Sequence, residues 1–483
     1  LGAERARSEL AADPALRAEM LRVIGAIQRR LGATDDAAAT LDAASDAARA
    51  AGAALPAVES AQLGYELGVL QSIAGDLDAA ERSFEGIAGL LASDQGAAAG
   101  VLRAQALGEL VVVAQGRGDL DSAFARLADA EAAVARLEPP NPYERMVVRN
   151  LRVAVLNDAG RYAEASALAT EIVADARTSG IADRGTFAQL LANASKLADA
   201  AGDRPLAVAH AEEGVRFARA RYPTGHFVVA DAMLALGNAY RTSGRHAEAA
   251  QALREAMAMF GAGGRTGQRG ETAMVLGRSL VDNGDPRAAL ELADAELAAA
   301  GEWEDRPATR VLGLLDVALR AARELDRAAF VRHAADAERE LAALPVDLRA
   351  QPMVQRVRRR LAQWRFDDGV VDEAARLAAD GIAASSAAPA PTADELIMRA
   401  VAVRASRVER EATAEFDRIV AALALQPSLG AAEAEARLAI AQAAMAIGRA
   451  DAKAYLDAAL QAHAAKPLPA ALAAQLDALA ARR

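Results

Sequence analysis

Residues 232–260 read AMLALGNAYRTSGRHAEAAQALREAMAMF, and the spacing inside this stretch decides the fold. Leu236 and Tyr240 lie four residues apart on one side, and Leu253 and Met257 lie four apart on the other. Each flank therefore carries one apolar stripe at helical period. Gly244 falls between the stripes, where a helix ends in a left-handed residue that only glycine adopts cheaply. Gly237 and Ala249 are small where larger side chains would push two crossing helices apart. The stretch predicts a helix, a tight turn and an antiparallel helix.

The turn glycine recurs as Gly32, Gly75, Gly118, Gly160, Gly202, Gly244, Gly284, Gly369 and Gly448. Successive gaps are 43, 43, 42, 42, 42, 40, 85 and 79 residues, the last two near twice the unit. A fixed period over the whole length marks one supersecondary unit copied end to end, and such units stack because none can bury its own apolar face alone. Asp76, Asp119, Asp203 and Asp285 directly follow their turn glycines and are placed to cap the next helix, with Pro286 at a first helical position.

Composition agrees with such an array and excludes several functions. The chain is 53% hydrophobic but only 4% aromatic, so its core is expected to consist of thin, alanine-rich two-helix layers. Its 55 basic against 66 acidic residues give a net charge of −11, which argues against a nucleic-acid partner because phosphate binding needs concentrated positive charge. With no cysteine, disulfides and thiolate zinc sites are ruled out. No run approaches 18 uninterrupted apolar residues, so no membrane segment is expected within this chain.

Catalytic signatures are missing. There is no H-R-D loop, no D-F-G and no strand-borne V-A-I-K lysine, nor a G-x-S-x-G elbow. The glycine-rich run at 261–270, GAGGRTGQRG, lacks the G-K-[ST] ending of a phosphate loop and reads as a loop between repeats. His210, His226, His246, His333 and His463 lie far apart without metal-ligand spacing and read as exposed helix-surface residues. Neither a metal, a cofactor nor a catalytic residue is expected.

The run Leu236, Gly237, Tyr240, Gly244, Ala249, Leu253 and Ala256 resembles the tetratricopeptide repeat signature in its 42-residue variety. It recurs as Leu67, Gly68, Gly75, Ala80 and Phe84, as Leu276, Gly277, Leu280, Gly284 and Ala289, and as Ile24, Gly25, Gly32, Ala37, Leu41 and Ala44. The resemblance implies an all-α fold, an α-solenoid wound as a right-handed superhelix. About eleven helix pairs and a C-terminal capping helix from about Ala470 to Arg483 are expected. Residues 1–385 form the more regular array of about nine pairs, and 386–483 hold degenerate repeats continuing it. A unit near Glu324 lacks a turn glycine, and another near Val408 keeps only Phe416, Ile419 and Leu423 as its stripe. SSAAPAPTAD at 385–394 and EPPNP at 138–142 are the candidate hinges.

A second resemblance concerns the opening, LGAERARSELAADPALRAEMLRVIGAIQRRLG at 1–32. It is similar to the stretch that begins the C-terminal repeat region of proteobacterial membrane-anchored serine/threonine kinases. That resemblance implies an upstream kinase domain and membrane helix, with this chain as a sensory or partner-binding region in the periplasm. The alternative parent is a soluble peptide-sensing regulator, or a transmembrane transcriptional regulator with a repeat tail; without a kinase tether the expected compartment is the cytoplasm.

Stacked repeats line their concave face with the first helix of each pair, which makes that face the expected site for a protein or peptide ligand. The side chains expected there include Tyr65, Asn150, Asn157, Lys196, Asn238, Arg241 and Arg278. Asparagines and cations suit an extended peptide, whose amides and carboxylates need both donors and acceptors. A candidate basic patch groups Arg356, Arg358, Arg359, Arg360 and Arg365 around Trp364, weighed against a solvated helix surface with packed stems. The small-residue seam gives the first prediction. Ala249→Leu should overpack a helix crossing and lower stability by roughly 1–3 kcal/mol; an unchanged thermal midpoint would remove Ala249 from the seam.

Overall fold

Helix termination organises the structure. In this computed structural model, which describes residues 2–481 apart from 31–32, 95, 181–185, 303–306, 386–390, 426–428 and 430–431, the eight described ruler glycines all have φ between 65° and 86°. Gly32 lies outside the described residues. After four of these turns the Asp carboxylate accepts from a backbone amide of the following helix. The distances are 3.0 Å for Asp76, Asp119 and Asp203 and 3.1 Å for Asp285. The unit without a turn glycine uses the same chemistry: Asp326 Oδ1 accepts from the amides of Ala328 and Ala329 at 2.9 and 3.0 Å.

The described residues form 24 α-helices and no strand. They fall into two compact units, Leu1–Arg245 and His246–Arg483, each an all-α solenoid. The first unit opens with the short helix Gly2–Glu9. Inner and outer helices then alternate as Pro14–Arg30 with Thr34–Ala51, Ala57–Ile73 with Leu77–Leu90, and Ala97–Gly116 with Leu120–Ala135. Pro142–Asp158 with Tyr162–Thr178 and Thr186–Ala200 with Arg204–Arg221 follow, and the unit closes with Phe227–Thr242.

The second unit runs from His246–Ala262 through Thr266–Asp282 with Pro286–Ala299, Ala308–Leu325 with Arg327–Ala343, and Pro352–Asp367 with Val371–Ser385. Ala393–Ala405 with Glu409–Leu425 and Glu433–Ala446 with Ala452–Ala465 complete its pairs. In chain order the described helices make eleven successive pairs, followed by Ala470–Ala480. The expected terminal Arg482 and Arg483, and 386–390 of the candidate hinge, lie outside the described residues. The glycine-rich run at 261–270, expected as a loop, is mostly helical: Gly261 and Ala262 end one helix, Thr266–Gly270 open the next, and only Gly263, Gly264 and Arg265 make the turn, with Gly264 at φ 69°.

Small residues set the helix separation. Five residues past eight of the nine turn glycines stands an alanine, the exception being Lys453 after Gly448, and Ala37, Ala80, Ala123, Ala165, Ala207, Ala249, Ala289 and Ala374 are all fully buried. Opposing glycines fit as closely: a Cβ on Gly68 would lie 2.7 Å from the Phe84 ring, and one on Gly25 would lie 2.7 Å from Leu41. The helix Ala97–Gly116 is long and apolar enough by composition to cross a membrane, but 56% of its apolar window is buried within the first unit. Its buried face, including Leu102, Ala106 and Leu110, packs with Phe84 and Ile87 of the preceding repeat. A buried core helix accounts for this composition.

Polar side chains link neighbouring repeats at nearly the repeat period. Arg29 reaches Glu66 at 2.9 Å and Gln105 reaches Glu144 at 2.8 Å, while Arg177 reaches Glu213 at 2.6 Å. In the second unit Arg320 reaches Asp282 at 2.6 Å and Arg327 reaches Asp368 at 2.8 Å.

Two glycines test the seam. Gly68→Ala gains helix propensity of about 1 kcal/mol, but its methyl meets a buried ring. Overpacking of roughly 1–3 kcal/mol outweighs that gain, so the variant should be less stable. Gly86→Ala, on an open surface with nothing within 4 Å, should raise stability by up to about 1 kcal/mol. Urea midpoints moving together in one direction would contradict the seam.

Candidate functional site

In the first unit the inner helices stand side by side, and most neighbours pack directly on one another. Pro142–Asp158 and Thr186–Ala200 touch far less than the other neighbouring inner helices do. Between them lies a cavity of about 490 Å³. Met146, Val153 and Ala154 line one wall, Leu190 and Leu197 the other, and Ala169 of the outer helix Tyr162–Thr178 forms part of the lining behind them. Asn150 and Asn157 on one helix and Gln189, Asn193 and Lys196 on the other complete the lining.

These polar groups differ in how far they are occupied. Gln189 Nε2 donates to Asn193 Oδ1 at 3.1 Å, and Asn157 Nδ2 donates to Asp158 Oδ1 at 3.4 Å. Asp158 in turn accepts from Gln115 at 2.7 Å. Among the described residues, neither Asn150 nor Lys196 has a hydrogen-bond or ion-pair partner. The cleft thus pairs an apolar interior with an unengaged amide and an unengaged cation.

The sequence placed Asn150, Asn157 and Lys196 on the inner face, and the structure brings those three together. Tyr65 lines a separate cavity of about 680 Å³, with Arg22, Arg29 and Glu66. There the polar groups engage one another. Tyr65 donates to Glu109 at 2.8 Å, Arg29 pairs with Glu66, and Arg22 pairs with Glu59 at 3.4 Å. Burial, then the neighbouring Glu109 carboxylate, pushes the Tyr65 phenol well above its ordinary range. Asn238 is half-buried and donates to the Leu234 carbonyl at 3.3 Å, and Arg241 stands in the last turn of the same helix. Arg278 belongs to the second unit.

Arginines around Trp364 do not form an open cationic surface. Arg358 and Arg359 are buried, and Arg359 pairs with Asp394 at 2.6 Å and Glu435 at 2.8 Å. Arg360 pairs with the buried Asp316, and Arg365 with Glu338 at 2.7 Å. Burial pushes the Asp316 carboxyl up, but Arg360, helped by Arg278, overrides it and holds the group below the ordinary carboxylate range. Trp364 packs edge-on against Phe330 with ring centres 5.7 Å apart. Only Arg356 is left half-exposed without a partner among the described residues. Acids on other helices, invisible from the local run of arginines, pair with Arg359, Arg360 and Arg365, while Arg358 is buried with Nη1 lacking a hydrogen-bond partner among the described residues.

Gln189, Asn193 and Ala169 escaped the sequence reading, although each left a trace. Gln189, Asn193 and Lys196 are spaced four and three apart, which puts them on one helix face. Ala169 stands nine residues past Gly160, where Leu41, Phe84 and Leu127 stand nine past theirs. The histidine reading also needs correction: His210 and His333 are buried. Thr170 Oγ1 lies 3.3 Å from His210 Nε2, and Asp294 lies 2.9 Å from His333. Both occupy outer helices facing a neighbouring repeat, where burial replaces the expected exposure.

No protein-family model matches the chain, and no curated protein matches it. Solved structures do. The apo form of RapI is 11% identical with a TM-score of 0.53, covering 76% of this chain and 97% of that one. PH0952 from Pyrococcus horikoshii, a signal transduction ATPase with a tetratricopeptide repeat sensor, is 11% identical with a TM-score of 0.50, covering 76% of this chain and 50% of that one. At such identities the likeness concerns the fold, which is a tetratricopeptide-type repeat array.

His210 gives the site's neighbourhood a pH dependence. Burial pushes its imidazole below the ordinary value of 6.5, with Glu213 pulling weakly the other way. Unfolding returns the ring to water, so below about pH 6.5 the unfolded chain takes up the proton first and stability falls with pH. Above that pH both states are neutral and the group adds no slope. Urea midpoints should therefore fall between about pH 7 and pH 5, and His210→Gln should flatten part of that fall. An identical slope in the variant would exclude His210 as a contributor.

Proposed function

We propose that this chain is a non-catalytic scaffold that holds an extended peptide, or an extended segment of a partner protein, between helices Pro142–Asp158 and Thr186–Ala200. The observation that carries this reading is the unengaged Asn150 and Lys196 beside an apolar cleft. A carboxamide offers two donors and an acceptor, which matches the amide and carbonyl of an extended backbone. Lys196 adds a cation that forms no ion pair among the described residues, although the chain as a whole carries a charge of −11. The repeat fold supports the same reading, since stacked helix pairs present long inner surfaces built for extended ligands.

The larger context rests on the opening segment. Its similarity to the repeat regions of membrane-anchored serine/threonine kinases supports a role as the sensory or partner-binding region of such a kinase, in the periplasm. An upstream helix-turn-helix, or the absence of a kinase and membrane helix encoded before Leu1, would favour a peptide-sensing regulator instead, with the chain in the cytoplasm in the soluble case.

A phage-displayed library of random octapeptides selected on the full chain tests the cleft. Peptides so isolated should lose about tenfold or more in affinity on the Asn150→Ala, Lys196→Ala double variant, since a hydrogen bond to a charged group contributes roughly 1.5–3 kcal/mol. The variant's thermal midpoint should stay unchanged because neither side chain has a partner among the described residues. Equal affinity on the variant would place binding elsewhere.

A further inference from the structure

The outer helix of each repeat presents a residue nine positions past the turn glycine, and in the early repeats of the first unit that residue is a large side chain packed against the neighbouring inner helices. Phe84, fully buried, packs with Tyr65, Leu102 and Leu110 of two successive inner helices. Leu127, also fully buried, packs with Val111, Val148 and Val155 of the next two. Ala169 holds the same register beneath Pro142–Asp158 and Thr186–Ala200, and there the cavity of about 490 Å³ opens. Ala211 repeats the small residue one unit later, but Thr186–Ala200 and Phe227–Thr242 pack directly on one another. The cleft is therefore a place where one repeat lacks the large side chain that the three repeats before it supply as Leu41, Phe84 and Leu127, and where the inner helices do not close over the small residue as they do over Ala211.

Resting on the peptide reading of this cleft, we propose that its occupant presents one bulky apolar side chain, of leucine to phenylalanine size, beside an acidic residue. The apolar group sits over Ala169 and replaces the missing side chain, while its carboxylate neighbour meets Lys196. Protein interiors are close-packed, and an apolar gap of this size between helices favours a ligand group that fills it. Met146, Val153, Leu190 and Leu197 line it with aliphatic surface just below the exterior. Charge sets the second preference. Among the described residues Lys196 forms no ion pair, whereas Asp158 at the far end of the facing helix is engaged by Gln115 and Asn157. Asp199, one turn further along from Lys196, forms no hydrogen bond or ion pair with it.

The full chain and the same random octapeptide library test this. On the unaltered chain, selected peptides should be enriched in Leu, Ile, Met or Phe next to Asp or Glu. Ala169→Leu restores the withheld side chain from within; it should melt at the same temperature or higher and bind the selected peptides at least tenfold more weakly. Ala169→Val, a smaller filling, should give an intermediate loss. Lys196→Glu should shift the neighbouring position from acidic to basic residues on reselection, while keeping the apolar preference. Peptides that bind through Asn150 but show no apolar enrichment, or that bind Ala169→Leu undiminished, would overturn the proposal and leave the peptide reading standing. A marked drop in the melting temperature of both Ala169→Leu and Ala169→Val would also overturn it, because the gap would then be too small for the group. If selection yields no binders to the unaltered chain, the peptide reading itself falls, and this proposal with it.

Discussion

The close approach of two helices across glycine or alanine is the interaction on which the rest of this structure depends. Each helix pair is only two layers thick and cannot remove its apolar stripe from water without a neighbour. Bringing the backbones together lets short side chains close the seam, and the fully buried alanines five residues past the turn glycines are that seam. Gly68 beneath the Phe84 ring shows how little slack remains. The scarcity of aromatic residues, 4% of the chain, follows from the same geometry, because thin layers leave few places for large rings.

Once the layers are stacked, polar groups on successive repeats come within reach of each other at nearly the repeat period. Exposed pairs of this kind contribute little individually. Their arrangement is more informative than their strength. In the second unit Arg359, Arg360 and Arg365 of Pro352–Asp367 pair with acids from other helices, including Glu435 at a separation of 76 residues. In the first unit the cavity beside Tyr65 is satisfied in the same way, through Glu109, Glu66 and Glu59. Against that background, Asn150 and Lys196 line an apolar cleft without a hydrogen-bond or ion-pair partner among the described residues.

The cleft results from a local relaxation of the rule that builds the rest. Where Phe84 and Leu127 fill the space below neighbouring inner helices, Ala169 does not, and the helices above it remain apart. A repeat array tolerates such a gap because each unit touches only its neighbours, so a missing side chain in one layer leaves the distant layers intact. Binding surface is thereby gained at a cost confined to one interface.

Much of the fold was legible because it is written in short-range spacing. Turn glycines, capping aspartates and apolar residues three and four apart act over a single helical turn; nine recurrences of the glycine, with two units of doubled spacing filled by helical stripes alone, led to the count of about eleven pairs. Of the site, Asn150, Asn157 and Lys196 could be placed on the inner face from helical period alone. What the tertiary structure decided was the distance between helices some forty residues apart. That distance depends on the volume of side chains beneath them, which is why the gap over Ala169, the burial of His210 and the pairing of Arg359 and Arg360 appeared only once the layers were stacked. Periodicity assigns a residue to a face; only packing determines whether that face is filled, neutralised or left open.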